Sequence, residues 1–219
     1  MEDYRRQKER VISMEKRDRW NERYAGKELM WSAGPNMLFA ELAREVVPGR
    51  ALDVAAGEGR NALWLAEQGW QVDAIDFSDV GIEKGRQIAD RRQVSVNWIV
   101  DDVSIHDFGL HQYDMVAALY LHTAPEERAS WLQRIIDAVR PGGSFVYIGH
   151  DPSNIEHGVG GPQDPDLLPG LGELKPLLAG FDFMRAEVFR REVDSDPGHG
   201  GPATGIALDT LIWAVRPGV

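Results

Sequence analysis

The 219 residues contain no cysteine. That excludes disulfides, thiolate metal sites and a cysteine nucleophile, and it suits a cytoplasmic setting. Nor is there a surplus of positive charge: 24 Lys and Arg stand against 35 Asp and Glu, a net charge of −11. A phosphate backbone needs a positive face, so this balance predicts no nucleic-acid partner. The charge is uneven, with eight Lys/Arg and six Asp/Glu in residues 1–23, a net of +2, and −13 over the rest. The basic segment reads as a solvated helix laced with i,i+4 charge pairs rather than as an RNA-binding arm. No apolar run reaches transmembrane length, so no membrane partner is expected. The opening MEDYRRQKER lacks the apolar stretch of a secretory signal. No G-x-S-x-G nucleophile elbow occurs, and no H-E-x-x-H or H-x-x-x-H spacing. The composition, 43% hydrophobic and 27% charged, is that of an ordinary globule with a sizeable core.

The informative stretch that remains is Ala51–Asn61, ALDVAAGEGRN. An apolar run ends in small residues, then Gly57-Glu58-Gly59, then a helix-like run. This is a strand, a tight turn and a helix start, where a ligand can lie against bare backbone and unpaired N–H groups. Asp76 follows Gly57 by 19 residues, about the spacing at which a carboxylate ending the next strand meets a ribose. An adenosine-containing ligand is therefore expected. Gly57-x-Gly59-x-x-Ala62 also fits the dinucleotide fingerprint. Asp53 at the strand's end and Glu58 within the turn argue against a diphosphate, because like charges repel at short range. A zwitterionic amino-acid tail would meet no such repulsion.

Hydrophobic periodicity and breakers predict helices over 3–23, Met37–Val46, Arg60–Gln68, Ser78–Asp90 and Pro125–Val139. Strands are expected at Ala51–Ala55, Gln71–Ile75, Val94–Val100, Tyr113–Leu119 and Ser144–Gly149, with Arg140-Pro141-Gly142-Gly143 stopping the preceding helix. Alternating strands and helices imply a parallel, doubly wound α/β sheet. Beyond His150, Asp151–Gly172 is rich in Gly, Pro and Asp and reads as a lid, a substrate loop or partial disorder. A short helix at Leu171–Leu178 is followed by strands at Phe183–Val193 and Ala207–Val215, joined by a glycine-rich loop over Asp194–Gly205. A single domain is expected over 1–219: an N-terminal helical cap (1–46), a cofactor-binding core (50–150), then substrate loops and C-terminal strands (151–219).

The D-x-x-x-G-x-G pattern of Asp53, Gly57 and Gly59, with Asp76, resembles motif I of the class I S-adenosylmethionine-dependent methyltransferases. Pro141-Gly142-Gly143 before strand five is also common there. Trp20-Asn21-Glu22-Arg23-Tyr24, Trp31 and Pro35-Asn36 resemble the N-terminal segment of the thiopurine- and tellurite-resistance-type small-molecule methyltransferases. The resemblance implies a seven-stranded, mostly parallel Rossmann-like sheet with an antiparallel C-terminal strand and helices on both faces. It implies S-adenosyl-L-methionine as cofactor. Ala55, Gly57 and Gly59 would let its methionine part cross the strand tip, with Asp53 steering the ammonium. Asp76 would accept from the ribose hydroxyls, and Phe77 would pack on the adenine. Asp102, or Asp101 if the register is shifted by one, would accept from the adenine amine, with the Val103 N–H on a ring nitrogen. Leu119 and Tyr120 would face the methionine tail. Arg60 would bind its carboxylate or merely decorate the helix. Trp20, Tyr24 and Trp31 would help close the pocket.

His122 follows strand four, near where the methyl group should sit. It would orient or deprotonate an acceptor, or pack beneath the loop; His150 is the second candidate base. His106 and His111 read as surface loop residues, and no metal site is expected. The implied activity is in-line transfer of the sulfonium methyl to O, N, S or a heavier chalcogen of a small molecule by a monomer or homodimer. The alternatives are a non-catalytic adenosine-ligand sensor of the same fold and an NAD-dependent dehydrogenase. An RNA acceptor is disfavoured by the charge and by the absence of an N-P-P-Y or D-P-P-Y motif.

Overall fold

The structure, a computed structural model, describes residues 14–26, 29–30, 32–193 and 204–218. A helix over 14–24 (α1) precedes α2 (Met37–Ala43). Then strands and helices alternate as β1 (Arg50–Val54), α3 (Arg60–Glu67), β2 (Gln71–Asp76), α4 (Asp79–Arg92) and β3 (Asn97–Val100). They continue through β4 (Tyr113–Leu119), α5 (Pro125–Asp137) and β5 (Val139–His150). Short α6 (Asn154–His157), a 3-10 turn at Pro165–Leu167 and α7 (Leu171–Leu177) lead to β6 (Asp182–Val193) and β7 (Gly205–Val215).

The strands form one sheet in the order β3-β2-β1-β4-β5-β7-β6. The first five pair in parallel, and β7 runs antiparallel between β5 and β6. This is the expected mixed, doubly wound sheet. The inserted antiparallel strand departs from the 3-2-1-4-5-6 order of dinucleotide-binding folds, so the topology weighs against the dehydrogenase alternative.

Side chains alternate between the faces of each strand. Leu52, Val54, Val116, Ala118 and Phe145 cluster with Trp131, Leu132, Ile135 and Ile136 of α5. Ala51, Met115, Ala117, Val146 and Ile148 cluster instead with Phe39 and Leu42 of α2 and Ala62 and Leu65 of α3. Burial on both faces is why β1 and β4 read as continuous apolar runs.

Several expected boundaries move. The chain leaves α2 at Ala43 rather than Val46, because Glu45 and Val46 donate to Leu42 and Ala43 in tightened turns before Pro48. At the start of β3, Gln93 turns left-handed and Val94 N–H bonds back to Ala89, so residues 93–96 close α4 instead of extending the strand. The Pro141-Gly142-Gly143 run is not a helix stop: α5 ends at Asp137, and the run lies inside β5, between the Tyr113–Val139 and Met115–Ser144 pairs. Segment 151–172 is neither structureless nor loose. Asn154 Oδ1 accepts from Leu208 N–H (2.7 Å), and Thr210 Oγ1 donates to Asp151 Oδ2 (2.7 Å). Buried Arg128 on α5 donates to Glu173 (2.6 Å) and to the Asp166 carbonyl (3.2 Å). The expected 3–13 part of the first helix, Trp31, and most of the 194–205 loop lie outside the described residues.

Candidate functional site

Parallel register brings the carboxyl ends of β1, β2, β3, β4 and β5 to one edge, pairing Val54 with Ile75 and Ala118, Asp76 with Val100, and Leu119 with Ile148. The predicted site residues at these strand ends lie along it. Asp76 grips the glycine turn: its Oδ2 accepts from Gly57 N–H and its Oδ1 from Ser78 N–H, both at 2.8 Å. Burial pushes its carboxyl up to about 6, against the pull of those two N–H groups. A carboxylate has about four acceptor positions, so this grip leaves capacity for further donors. Ser78 caps α4 through a 3.0 Å bond from Gly81 N–H.

Asp53, at 1% exposure, accepts from Ala62 N–H at 3.0 Å and clamps the first turn of α3. Its carboxyl rises to about 7, chiefly through burial, opposed by that N–H and by Arg60 and assisted by the charge of Asp76. A buried acid held this close to neutrality is stabilised as an anion by any cation brought beside it. Glu58 behaves differently from expectation. Its Oε1 accepts from Lys84 Nζ (3.0 Å) and its Oε2 from Met30 N–H (2.9 Å). Its charge is balanced by Lys84, so the repulsion of a diphosphate expected of Asp53 and Glu58 is left to Asp53.

Gly57 has φ +57, and a Cβ there would lie 2.5 Å from Tyr24 Oη. Buried Tyr24 therefore lies across the turn, with Trp20 stacked on it at 5.6 Å. Asn21 fastens α1 alongside: Ser78 Oγ donates to its Oδ1 (2.6 Å) and its Nδ2 donates to Asp79 (2.7 Å). The open side of Gly59 is filled by the Trp98 ring rather than left to a ligand. Ala55, like Gly57, is left-handed. Beyond the β2 and β3 tips, a cavity of about 190 Å³ is lined by Met14, Arg17, Phe77, Val100, Asp101 and Asp102. Both aspartates border it. Asp101 accepts from Asp102 N–H (2.8 Å) and faces His106 Nδ1 (2.7 Å), while Asp102 accepts from Ser104 N–H (2.8 Å). His106 is thus not a plain surface residue; it is half-buried and braces this loop. Val103 is buried, its carbonyl taken by Arg134 at 3.0 Å.

At the β4, β5 and β7 end a second group of side chains converges. Left-handed Tyr120 (φ 54) donates its hydroxyl to Asp209 Oδ2 at 2.7 Å. Asp209, fully buried, pairs across the sheet with His150, whose Nδ1 lies 3.3 Å from Asp209 Oδ1. Arg191 of β6 donates Nε–H to Asp209 Oδ2 at 2.7 Å. Burial alone would raise the Asp209 carboxyl; His150, Arg191 and Tyr120 outweigh it and hold the group below its ordinary value. His122 stacks on His150 with centroids 5.4 Å apart and planes 19° apart. Above His150 lies Gly161 (φ +74), where a Cβ would come within 2.6 Å of the imidazole. Leu119 is buried in β4 just before this group. Arg60 stands between the two ends: it responds electrostatically to Tyr120 and Arg191 on one side and to Asp53 and Tyr24 on the other.

Sequence reasoning found Tyr120, His122 and His150 but missed Asp209 and Arg191. A signal existed for the first, since Asp209 is the lone charge in the apolar run Ala207–Val215. Arg191 lies in an edge strand with several other charges and carries no such mark. Among the described residues no group of three or more His, Asp or Glu is arranged to hold a metal ion.

Residues 51–143 match the family model described as a methyltransferase domain. The tRNA 5-carboxymethoxyuridine methyltransferase of Escherichia coli (strain K12) is 33% identical over 97 residues, covering 43% of this chain and 37% of that protein. The 2-heptyl-1-hydroxyquinolin-4(1H)-one methyltransferase of Mycobacteroides abscessus is 28% identical over 153 residues, covering 66% of this chain and 65% of that protein. The chain thus spans less than two thirds of the length of either relative. TehB from Haemophilus influenzae superposes with a TM-score of 0.68 at 16% identity, over 92% of this chain and 67% of that one. Magnesium protoporphyrin IX methyltransferase from Synechocystis PCC 6803, solved with bound S-adenosylmethionine, gives 0.63 at 17% identity, over 93% and 96%. Sheet order and strand-tip site together define a Rossmann-like methyltransferase fold. Residues 51–143 thus resemble a methyltransferase domain, and the chain shares the fold of TehB and of the magnesium protoporphyrin IX methyltransferase.

Proposed function

We propose that this chain transfers a methyl group from S-adenosylmethionine to a heteroatom of a small molecule. The observation that carries the reading is the grip of Asp76 on Gly57 and Ser78, which places a buried carboxylate at the meeting of glycine turn and second strand tip. The residues present fit the cofactor. Asp53, an acid raised to about 7, suits an ammonium. Asp76 retains acceptor capacity for two ribose hydroxyls, and the Phe77–Asp101–Asp102 cavity offers an aromatic ring and carboxylates to a base with an exocyclic amine. Ala55 and Gly57 form the crossing point, the Val103 N–H meets an adenine ring nitrogen, Leu119 faces the methionine tail, Arg60 takes its carboxylate, and Trp20 and Tyr24 close over the donor.

The bound donor supplies an activated sulfonium methyl for in-line displacement. The chain's residues align the acceptor with it and exclude water, contributions worth roughly several kcal/mol. His122, half-buried and stacked on His150, would take a proton from a hydroxyl, thiol or amine; His150 is the more deeply seated of the two. A small-molecule acceptor is favoured by the net charge of −11 and by the quinolinone-methylating relative, whose match is longer than that of the tRNA-methylating one. A cytoplasmic location fits the absence of cysteine, and no described helix is long and apolar enough to cross a membrane.

Isothermal titration tests the donor assignment. S-adenosylhomocysteine should bind and NAD should not; the opposite result would overturn it. An acceptor panel read out by S-adenosylhomocysteine release then separates an enzyme from a non-catalytic sensor of the same fold.

A further inference from the structure

The acceptor end has a chemical character that the resemblance to methyltransferases does not supply. Arg191 reaches in from β6 and is held in one orientation. Its Nε donates to Asp209 at 2.7 Å, its Nη2 lies 3.5 Å from the other Asp209 oxygen, and its guanidinium lies over the Tyr120 ring at 5.5 Å. The carboxylate that fixes it is fully buried, whereas the Arg191 side chain is 30% exposed. The pair is therefore lopsided: its anion is sealed from solvent and its cationic side chain is partly exposed. A guanidinium has five donors in a rigid fork, more than one carboxylate and one hydroxyl engage. Arg60 adds a second guanidinium within electrostatic reach of both Tyr120 and Arg191. Arg191 and Arg60 thus bring two guanidinium groups to this corner, in a chain whose net charge is −11.

Resting on the methyltransferase reading, we infer that the methyl acceptor is an oxyanion-bearing small molecule, a carboxylic acid or ionised acidic hydroxyl, held by the Arg191 guanidinium on its Asp209–Tyr120 mount. Tyr120 and His122 lie beside this guanidinium with ring centroids 6.2 Å apart and suit an aromatic or conjugated scaffold. Arg60 then serves the donor's carboxylate on one side and the acceptor's anion on the other. The docking is a charge-assisted, bidentate contact of the kind arginine makes and lysine does not reproduce.

The test uses the full-length protein saturated with S-adenosylhomocysteine and a panel of matched pairs: benzoate with benzamide, salicylate with salicylamide, 1-naphthoate with 1-naphthamide. Ligand-observed NMR and titration should show the acids binding at least tenfold more tightly than their amides, with affinity falling as salt rises. The double variant Arg191→Met/Asp209→Asn removes both charges together, so that no buried ion is stranded. It should lose the acid preference while keeping S-adenosylhomocysteine affinity within about twofold. Arg191→Lys should retain a weakened preference, since the charge survives and the fork does not. Equal binding of acids and amides, no binding of any acid, or an unchanged preference in the double variant would each overturn the inference. Acid preference without S-adenosylhomocysteine binding would keep the anion site and remove the donor reading instead.

Discussion

The two ends of the strand-tip edge are built by opposite means. At the β1–β2 end, carboxylates bind backbone: Asp76 holds Gly57 and Ser78, and Asp53 holds Ala62. At the β4–β5–β7 end, side chains bind side chains: Tyr120, His150 and Arg191 converge on Asp209. The first end is acidic, with two carboxyls raised by burial to about 7 and about 6. The second sets the Arg191 guanidinium on a buried carboxylate, Asp209, that is held below its ordinary value. A zwitterionic, cationic donor fits the first, and an electron-rich acceptor fits the second, so the division of charge matches the division of labour in a methyl transfer.

The comparison breaks most completely at the turn itself. Gly57→Val forces a β-branched residue to φ +57 and drives its Cβ to 2.5 Å from Tyr24 Oη. S-adenosylhomocysteine binding should be abolished in titration while circular dichroism still reports a folded protein. Normal binding would mean that the donor does not approach the backbone there. The largest stability effect belongs to the other end. Asp209→Ala strands Arg191 beside a buried void and should cost about 3–5 kcal/mol in urea unfolding, the scale of a broken buried pair. Donor affinity should survive wherever the variant is folded. A loss below about 1 kcal/mol would show that the Arg191 charge is already well solvated.

The same contrast explains what the sequence disclosed. The first end joins residues close in the chain or one crossover apart: Asp76 lies two residues from Ser78 and 19 from Gly57. Local spacing encodes such contacts, so the turn, Asp53, Asp76 and the strand that follows were all legible. Tyr120 and Asp209 are 89 residues apart and meet only because β7 inserts antiparallel beside β5. No spacing rule predicts that pairing. His122 and His150 were legible as chemistry at strand ends, but their mutual stacking and the carboxylate beside His150 were not. Segment 151–172 misled because its Gly, Pro and Asp content marks turns, whereas its order comes from tertiary bonds such as Asn154 to Leu208.

Next in size, Asp76→Ala removes both backbone bonds and the acceptors proposed for the ribose. Donor affinity should fall by roughly 1–3 kcal/mol, the cost of leaving such donors unpaired. Asp76→Asn sharpens the comparison, since one amide oxygen can still accept while the charge is gone. If both variants bind like the parent, the ribose lies elsewhere and the carboxylate serves only to staple the turn.

The smallest effect is set by pH, and its sign differs between folding and binding. Asp53 and Asp76 have folded-state values above the ordinary 3.8. Between about pH 4 and 7 the unfolded chain has lost these protons while the native state still holds them, so both groups subtract stability as pH rises through that window. Donor binding runs the other way. An ammonium beside Asp53 favours the ionised carboxylate, so binding releases a proton near pH 7 and weakens as pH falls. Titration of S-adenosylhomocysteine from pH 8 to 6 should show affinity dropping by up to about tenfold, one pKa unit's worth of interaction. Heats measured in buffers of different ionisation enthalpy should show net proton release near neutrality. Asp53→Asn should flatten both dependences. A pH-independent parent, or a proton taken up on binding, would remove Asp53 from the donor site and leave it as the clamp on α3 alone.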